Sequence, residues 1–183
     1  MKKIISVPNQ RSWLVYKRFS VCMALIAAIF ILHASSAAQK NSVTDSAKGI
    51  TIHHEINFKA SPQRLYETLL SSKQFSDCTK MSFPEFSTSS ANINSTIGGA
   101  FSVFDGHIIG RILELVPNQR IVEAWRVVDW PAGVYSIASF EFIPQNSGTK
   151  LIFNHVGFPQ GLKEHLAIGW QQHYWDVLTK YLQ

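Results

Sequence analysis

The stretch "FSVFDGHIIGRILELVPNQRIVEAWR", Phe101 to Arg126, decides how this chain folds. Asp105-Gly106 and Val116-Pro117-Asn118 divide it into three apolar runs at hairpin spacing. Asp105-Gly106 is a two-residue turn signal that accepts positive φ, so Val103 should pair with Ile108. The turn gives Asp105 a structural role and weakens any Asp–His dyad with His107. In the second hairpin, Leu115 is expected opposite Gln119 across a three-residue loop, with Asn118 in the left-handed position. That register sets Glu114 opposite Arg120 and Arg111 opposite Glu123. Such pairs are worth only about 0.2–1 kcal/mol each, so they argue for register rather than for stability.

The register also sorts side chains between two faces, because successive strand residues point to opposite sides. Phe101, Val103, Ile108, Gly110, Ile112, Val122 and Ala124 form the expected concave, covered face, with Arg126 at one end and Glu114 and Arg120 at the other. His107, Ile109, Arg111, Leu113, Ile121, Glu123 and Trp125 fall on the opposite face. Beyond the "DWPAG" turn, Ser136, Ala138, Phe140 and Phe142 join the concave side, as do Leu151, Phe153 and His155 of the last strand. Gly110 in mid-strand leaves room for something to approach the sheet. The polar groups inside are then Arg126, Ser136 and His155. Arg126 either reaches the rim or meets the polar head of a ligand, since a buried guanidinium needs partners. His155 is either a satisfied core histidine or a functional one.

Working outward, "ITIHHEINF" alternates Ile50, Ile52, His54, Ile56 and Phe58 on one face and reads as a strand. His53 and His54 are adjacent on it, point to opposite faces, and cannot share a metal. Ser61-Pro62 is a helix N-cap followed by proline at the first helical position, opening a helix through Ser71. Residues 73–95 are less regular: one helical turn, then a polar edge strand near "EFSTSS". Strands follow at 99–104, 107–115, 119–128, 134–143 and 149–156. From Gly161 to Leu182 the pattern becomes helical, with Leu166, Trp170, Tyr174 (or His173), Val177 and Tyr181 in a stripe widened by Leu178 and Leu182. Gly169 within it invites close packing or a kink. A curved antiparallel sheet with one open face needs this helix as its cover, an α+β arrangement.

The formal charge of +5 misleads. Lys2, Lys3, Arg11, Lys17 and Arg18 stand in the first 38 residues, which hold no Asp or Glu, and from Gln39 onward 12 basic residues face 12 acidic ones. The remainder has no excess charge with which to neutralise phosphates, which argues against nucleic acid as a partner. The basic start, the apolar run Val21–Leu32 and the small residues Ser36 and Ala38 make residues 1–38 a signal peptide, with an uncleaved membrane anchor as the rival reading. An exported, periplasmic or secreted protein follows. Residues 39–48 read as a polar linker, and residues 49–183 as the domain. After cleavage only Cys78 remains, so no internal disulfide forms and a structural thiol is expected.

"FDGHIIGRILELVPNQRIVEAWR", "DWPAGVYS", "GTKLIF" and "GWQQHYWDVLTKYL" together resemble the C-terminal-domain family of the heat-shock-protein-90 ATPase activators. That family belongs to the START-like (SRPBCC), helix-grip superfamily, and the resemblance covers roughly Ile50 to Leu182. It implies a helix-grip fold: a curved antiparallel sheet wrapped around a long C-terminal helix. It also implies a small-molecule cavity or a protein-docking surface, a link to stress response, and no catalytic residues to carry over. The co-chaperone role belongs to family members of the nucleus and cytosol, usually with an added N-terminal domain, whereas this sequence carries an export signal.

The expectation is therefore a non-catalytic binder of a small apolar or amphipathic molecule, without cofactor or metal. Its ligand site would comprise Phe101, Arg126, Ser136, Phe140, Phe153, His155, Trp170 and Tyr174. Alternatives are an envelope protein-interaction or chaperone-associated module with an apolar convex patch near Ile109, Leu113 and Trp125, and a cyclase- or hydrolase-type enzyme using Arg126 and His155.

Overall fold

The computed structural model describes residues 50–83 and 90–183. By its internal contacts the chain divides into Met1–Asn41 and Ser42–Gln183, and every described residue lies in the second unit. The expected signal peptide, the linker and most of the "EFSTSS" edge strand lie outside the described residues.

The first strand, β1 (Thr51–Phe58), leads into two helices, α1 (Pro62–Leu70) and α2 (Ser72–Ser82). Ser61 caps α1, its Oγ accepting from Arg64 N–H at 3.2 Å, with Pro62 in the first turn. α2 is a full helix rather than the single turn expected. Its buried face is partly Ser76 and Thr79, whose hydroxyls donate back to the Ser72 and Phe75 carbonyls at 2.6 and 2.8 Å. Polar residues that satisfy themselves in this way hide the apolar period. Cys78 lies on the same buried face, and burial pushes its thiol up to about 12, far from a nucleophile.

Six further strands follow: β2 (Asn92–Ile93), β3 (Ala100–Val103), β4 (Ile108–Val116), β5 (Arg120–Val127), β6 (Ser136–Gln145) and β7 (Gly148–Val156). They form one antiparallel sheet in the order β1-β7-β6-β5-β4-β3-β2. The C-terminal helix covers it in three continuous parts: α3 (Lys163–Trp170), a π-turn (Gln171–Trp175) and α4 (Asp176–Tyr181). This is the α+β helix-grip arrangement expected.

The first hairpin forms as the residues dictate. Val103 pairs with Ile108, His107 N–H donates to the Phe104 carbonyl at 3.0 Å, and Asp105 and Gly106 take φ of 54° and 82°. Phe104 also sits at φ 53°, a costly conformation for an aromatic residue. Its ring is held between Phe75 and Tyr174, with centroids at 5.6 and 5.4 Å. Gly110 does accommodate a visitor, which comes from the sheet itself. A Cβ at Gly110 would stand 2.3 Å from the Phe101 ring.

The second hairpin corrects the expected register. Its loop keeps the expected three residues and the left-handed Asn118 (φ 61°) but runs one position later, Pro117 to Gln119, with Gln119 N–H donating to the Val116 carbonyl at 3.0 Å. Val116, not Glu114, stands opposite Arg120, and a bulge at Leu113 shifts the pairing once more. The extra residue inverts the faces of β5 relative to expectation. Trp125 pairs with Gly110 and Ser136, so Ile121, Glu123 and Trp125 face the helix, while Val122, Ala124 and Arg126 face away. Trp125, expected on the convex face, is 3% exposed inside the protein. Arg120 still reaches Glu114 at 3.5 Å and also pairs with Glu141 at 2.5 Å. Arg111 stands opposite Ala124 instead of Glu123 and donates to the Gly98 carbonyl at 2.9 Å.

Candidate functional site

The π-turn explains why the helix grips the sheet so closely. In regular α-geometry, residues five apart diverge around the helix by roughly 140°. A π-turn widens the spacing, so Trp170, Tyr174 and Trp175 all face the sheet. Trp170 and Trp175 stack with centroids 5.6 Å apart and planes 17° from parallel. Each indole N–H then finds a histidine: Trp170 donates to Nδ1 of His155 at 2.9 Å, and Trp175 to Nδ1 of His54 at 2.7 Å. Trp175 is completely buried, yet the 3.6-residue stripe read from the sequence left it out.

The bond from Trp170 fixes the His155 tautomer. Nδ1 accepts, so Nε2 carries the proton and donates to Ser136 Oγ at 2.6 Å, and that hydroxyl donates to the Trp125 carbonyl at 2.8 Å. Every member is satisfied without a ligand, and burial lowers the His155 pKa to about 3. His155 is thus a neutral core histidine. His54 is lowered too, by burial and then by the neighbouring His53.

Arg126 does not join this group, which corrects its expected place on the concave face. Its guanidinium donates to the carbonyls of Val127 at 3.2 Å, Val128 at 3.0 Å and Trp130, and it lies over the Tyr135 ring. It ties down the β5–β6 connection on the far side of the sheet. Arg126 and His155 share no partner and stand on opposite faces, so acid–base cooperation between them has no geometric basis.

Most of the space expected for a ligand is filled by the protein. Phe140 and Phe153 pack at 5.2 Å, Phe153 lies 4.3 Å from Trp170, and Trp170 lies 4.2 Å from Tyr174. Phe101 is occupied with Gly110, and Ser136 and His155 are fully buried. Open space remains at one end, as a half-open cleft of about 610 Å³ between the Phe104–Ile108 hairpin, the end of β5 and the first half of the C-terminal helix. Of the eight residues expected to hold a ligand, Trp170 and Tyr174 border it. The sequence reading missed Phe104, Ile108, Trp125, Val127, Ile168 and Gly169 as site residues, and with Leu166 they complete its apolar wall. Gly169 was the available signal: a Cβ there would meet nothing within 4 Å, so no packing in the protein requires the glycine.

Two polar groups on the helix-facing side of the sheet interact, Tyr174 in the cleft wall and Glu123 behind it. Glu123 faces inward from β5 and is partly buried, which raises its carboxyl pKa to about 8. Burial drives the Tyr174 phenol well above its ordinary range, the Trp125 indole opposes that rise, and the Glu123 charge adds to it. Trp125 Nε1, though beside Tyr174, is a buried donor that meets no acceptor in good hydrogen-bond geometry. Among the described residues no cluster of three or more His, Cys, Asp or Glu is arranged to hold a metal, and no helix is long and apolar enough to cross a membrane.

Residues 59–183 match the family model described as Activator of Hsp90 ATPase homolog 1-like protein. The chain belongs to this family. The human Activator of 90 kDa heat shock protein ATPase homolog 1 is 30% identical over 123 residues, 67% of this chain and 34% of that protein. The chain therefore spans about a third of the length of the curated relatives it matches. Among solved structures, an HSP90 activator from Plasmodium falciparum superposes with a TM-score of 0.64 at 25% identity, covering 71% of this chain and 94% of that one. CalU16 from Micromonospora echinospora shares the fold alone, with a TM-score of 0.59 at 16% identity over 73% of this chain and 76% of its own.

Proposed function

We propose that this activator-like domain is a non-catalytic binding module whose cleft between the Phe104–Ile108 hairpin and the C-terminal helix takes a small apolar or amphipathic molecule. One observation carries the reading: the protein's own aromatic side chains fill the middle of the grip yet leave about 610 Å³ open at one end, within the size range of ligand sites. The chemistry fits binding better than turnover, because the buried histidine is neutral and fully hydrogen-bonded and the cysteine is buried with a raised pKa. The leader pattern in residues 1–38 supports action outside the cytosol, in a periplasmic or secreted setting. Native mass spectrometry of the protein purified from its host tests the reading. A small molecule held one-to-one and released by organic solvent is the expected result. Preparations that consistently carry nothing, and take up no apolar probe, contradict it.

A second reading follows from the relatives. The human and Plasmodium proteins are named as activators of a 90 kDa heat-shock protein, which supports a protein partner for this chain. Adding the domain to such a chaperone and following ATP hydrolysis tests this reading, and an unchanged rate counts against it.

A further inference from the structure

The cleft has a charge character that its apolar wall conceals. Phe104, Trp125, Trp170 and Tyr174 present four aromatic rings to it. They form a continuous wall, with Phe104–Tyr174 and Trp125–Trp170 centroids both at 5.4 Å. Asp105 stands at the rim, exposed. No Lys or Arg borders the cleft among the described residues. Behind Tyr174, Glu123 points inward from β5 and makes no hydrogen bond or ion pair with any described residue. Aromatic faces attract positive charge through their quadrupoles, and carboxylates add to that attraction. An anionic headgroup would meet the reverse, with Asp105 at the rim, Glu123 behind the Tyr174 wall and no Lys or Arg to pair with.

We propose that the cleft selects an organic cation, an amine or quaternary ammonium carried on an apolar body, with the headgroup among the aromatic rings near Asp105 and Glu123. The proposal rests on the cleft being a ligand site and adds the ligand's charge. Partial burial raises the Glu123 carboxyl to about 8, so it carries its charge toward a bound cation only in mildly alkaline solution. His107, His165 and His173 also border the cleft, and the test is run at pH 8.5, where the Glu123 carboxyl is mostly ionised.

Three probes with one tail and different heads decide the matter: decyltrimethylammonium, decanol and decanoate, each titrated calorimetrically below its micelle-forming concentration. The expected order is the cation about tenfold tighter than the alcohol, as a desolvated cation–π contact provides, with decanoate weakest. Equal affinities, or decanoate in front, overturn the proposal while leaving an apolar ligand site standing. If none of the three binds, the proposal and the ligand-site reading fall together. The double variant Asp105→Asn/Glu123→Gln should narrow the cation-over-alcohol preference to about threefold or less. Asparagine tolerates the left-handed backbone at position 105, so the hairpin should survive. A tenfold preference that persists in the variant removes the carboxyl groups from the account.

Discussion

Trp170 donates its indole N–H to Nδ1 of His155 at 2.9 Å, a single bond that locks the covering helix to the floor of the sheet. The acceptor works only while His155 is neutral. Its other nitrogen is committed to Ser136, so protonation at Nδ1 would set one N–H against another.

A pH dependence of stability follows, with a definite sign. The folded-state pKa of His155 is about 3, below the ordinary histidine value, so between the two the unfolded chain binds more protons. Stability should therefore fall as pH drops from about 6.5 toward 3. Urea unfolding at a series of pH values checks this. His155→Gln, though less stable at neutral pH, should lose that part of the slope.

Glu123 has the opposite sign. Its folded-state pKa of about 8 lies above the ordinary carboxyl value, so between them the folded protein holds the extra proton. Its contribution should decline as pH rises from about 4.5 to 8. Carbon-13 NMR of the carboxyl should show it titrating near 8. Glu123→Gln should flatten the high-pH side of the stability profile, and a carboxyl titrating near 4.5 would contradict the burial described here.

Arg126 should matter to folding and not to the cleft. Arg126→Met leaves three backbone carbonyls without their donor, a loss of about 2–4 kcal/mol measured by denaturant unfolding. Affinity for a cleft ligand should stay within about twofold, because the guanidinium lies on the other face of the sheet.

The two glycines separate packing from access. Gly110→Ala would place a methyl group 2.2 Å from the Ala124 carbonyl oxygen and 2.3 Å from the Phe101 ring, and should cost about 2–3 kcal/mol. Gly169→Ala meets nothing within 4 Å and should stabilise the helix by about 0.5–1 kcal/mol. Gly169→Leu should fold equally well yet reach into the cleft and weaken ligand uptake. Thermal melts and a fluorescent apolar probe distinguish the three.

Much of the fold could be read from local chemistry. Asp105-Gly106 and Ser61-Pro62 carry their own turn and cap geometry, and the succession of strands along the chain needed only apolar alternation. The faces of β5 could not be read, because the bulge at Leu113 has no local signature and one extra residue turns Trp125 inward and Arg126 outward. Trp175 was hidden for a similar reason. Its place against the sheet depends on a π-turn, which tertiary packing stabilises and a 3.6-residue period conceals. The cleft lay beyond reach because it is what remains after Phe140, Phe153 and Trp170 have packed, and volumes of that kind appear only once register and rotamers are set.

The most direct test of the account is a nitrogen-15 NMR titration of the domain with decyltrimethylammonium, following the tryptophan indole and backbone amide signals. The account predicts shifts confined to the cleft, at the Trp125 and Trp170 indoles and the amides of Phe104, Ile108 and Gly169. The Trp130 indole and the amides of Ile137 and Val156, whose side chains are exposed on the opposite face, should stay still. Shifts gathered at Ile137 and Val156, or none at saturating probe, would contradict it.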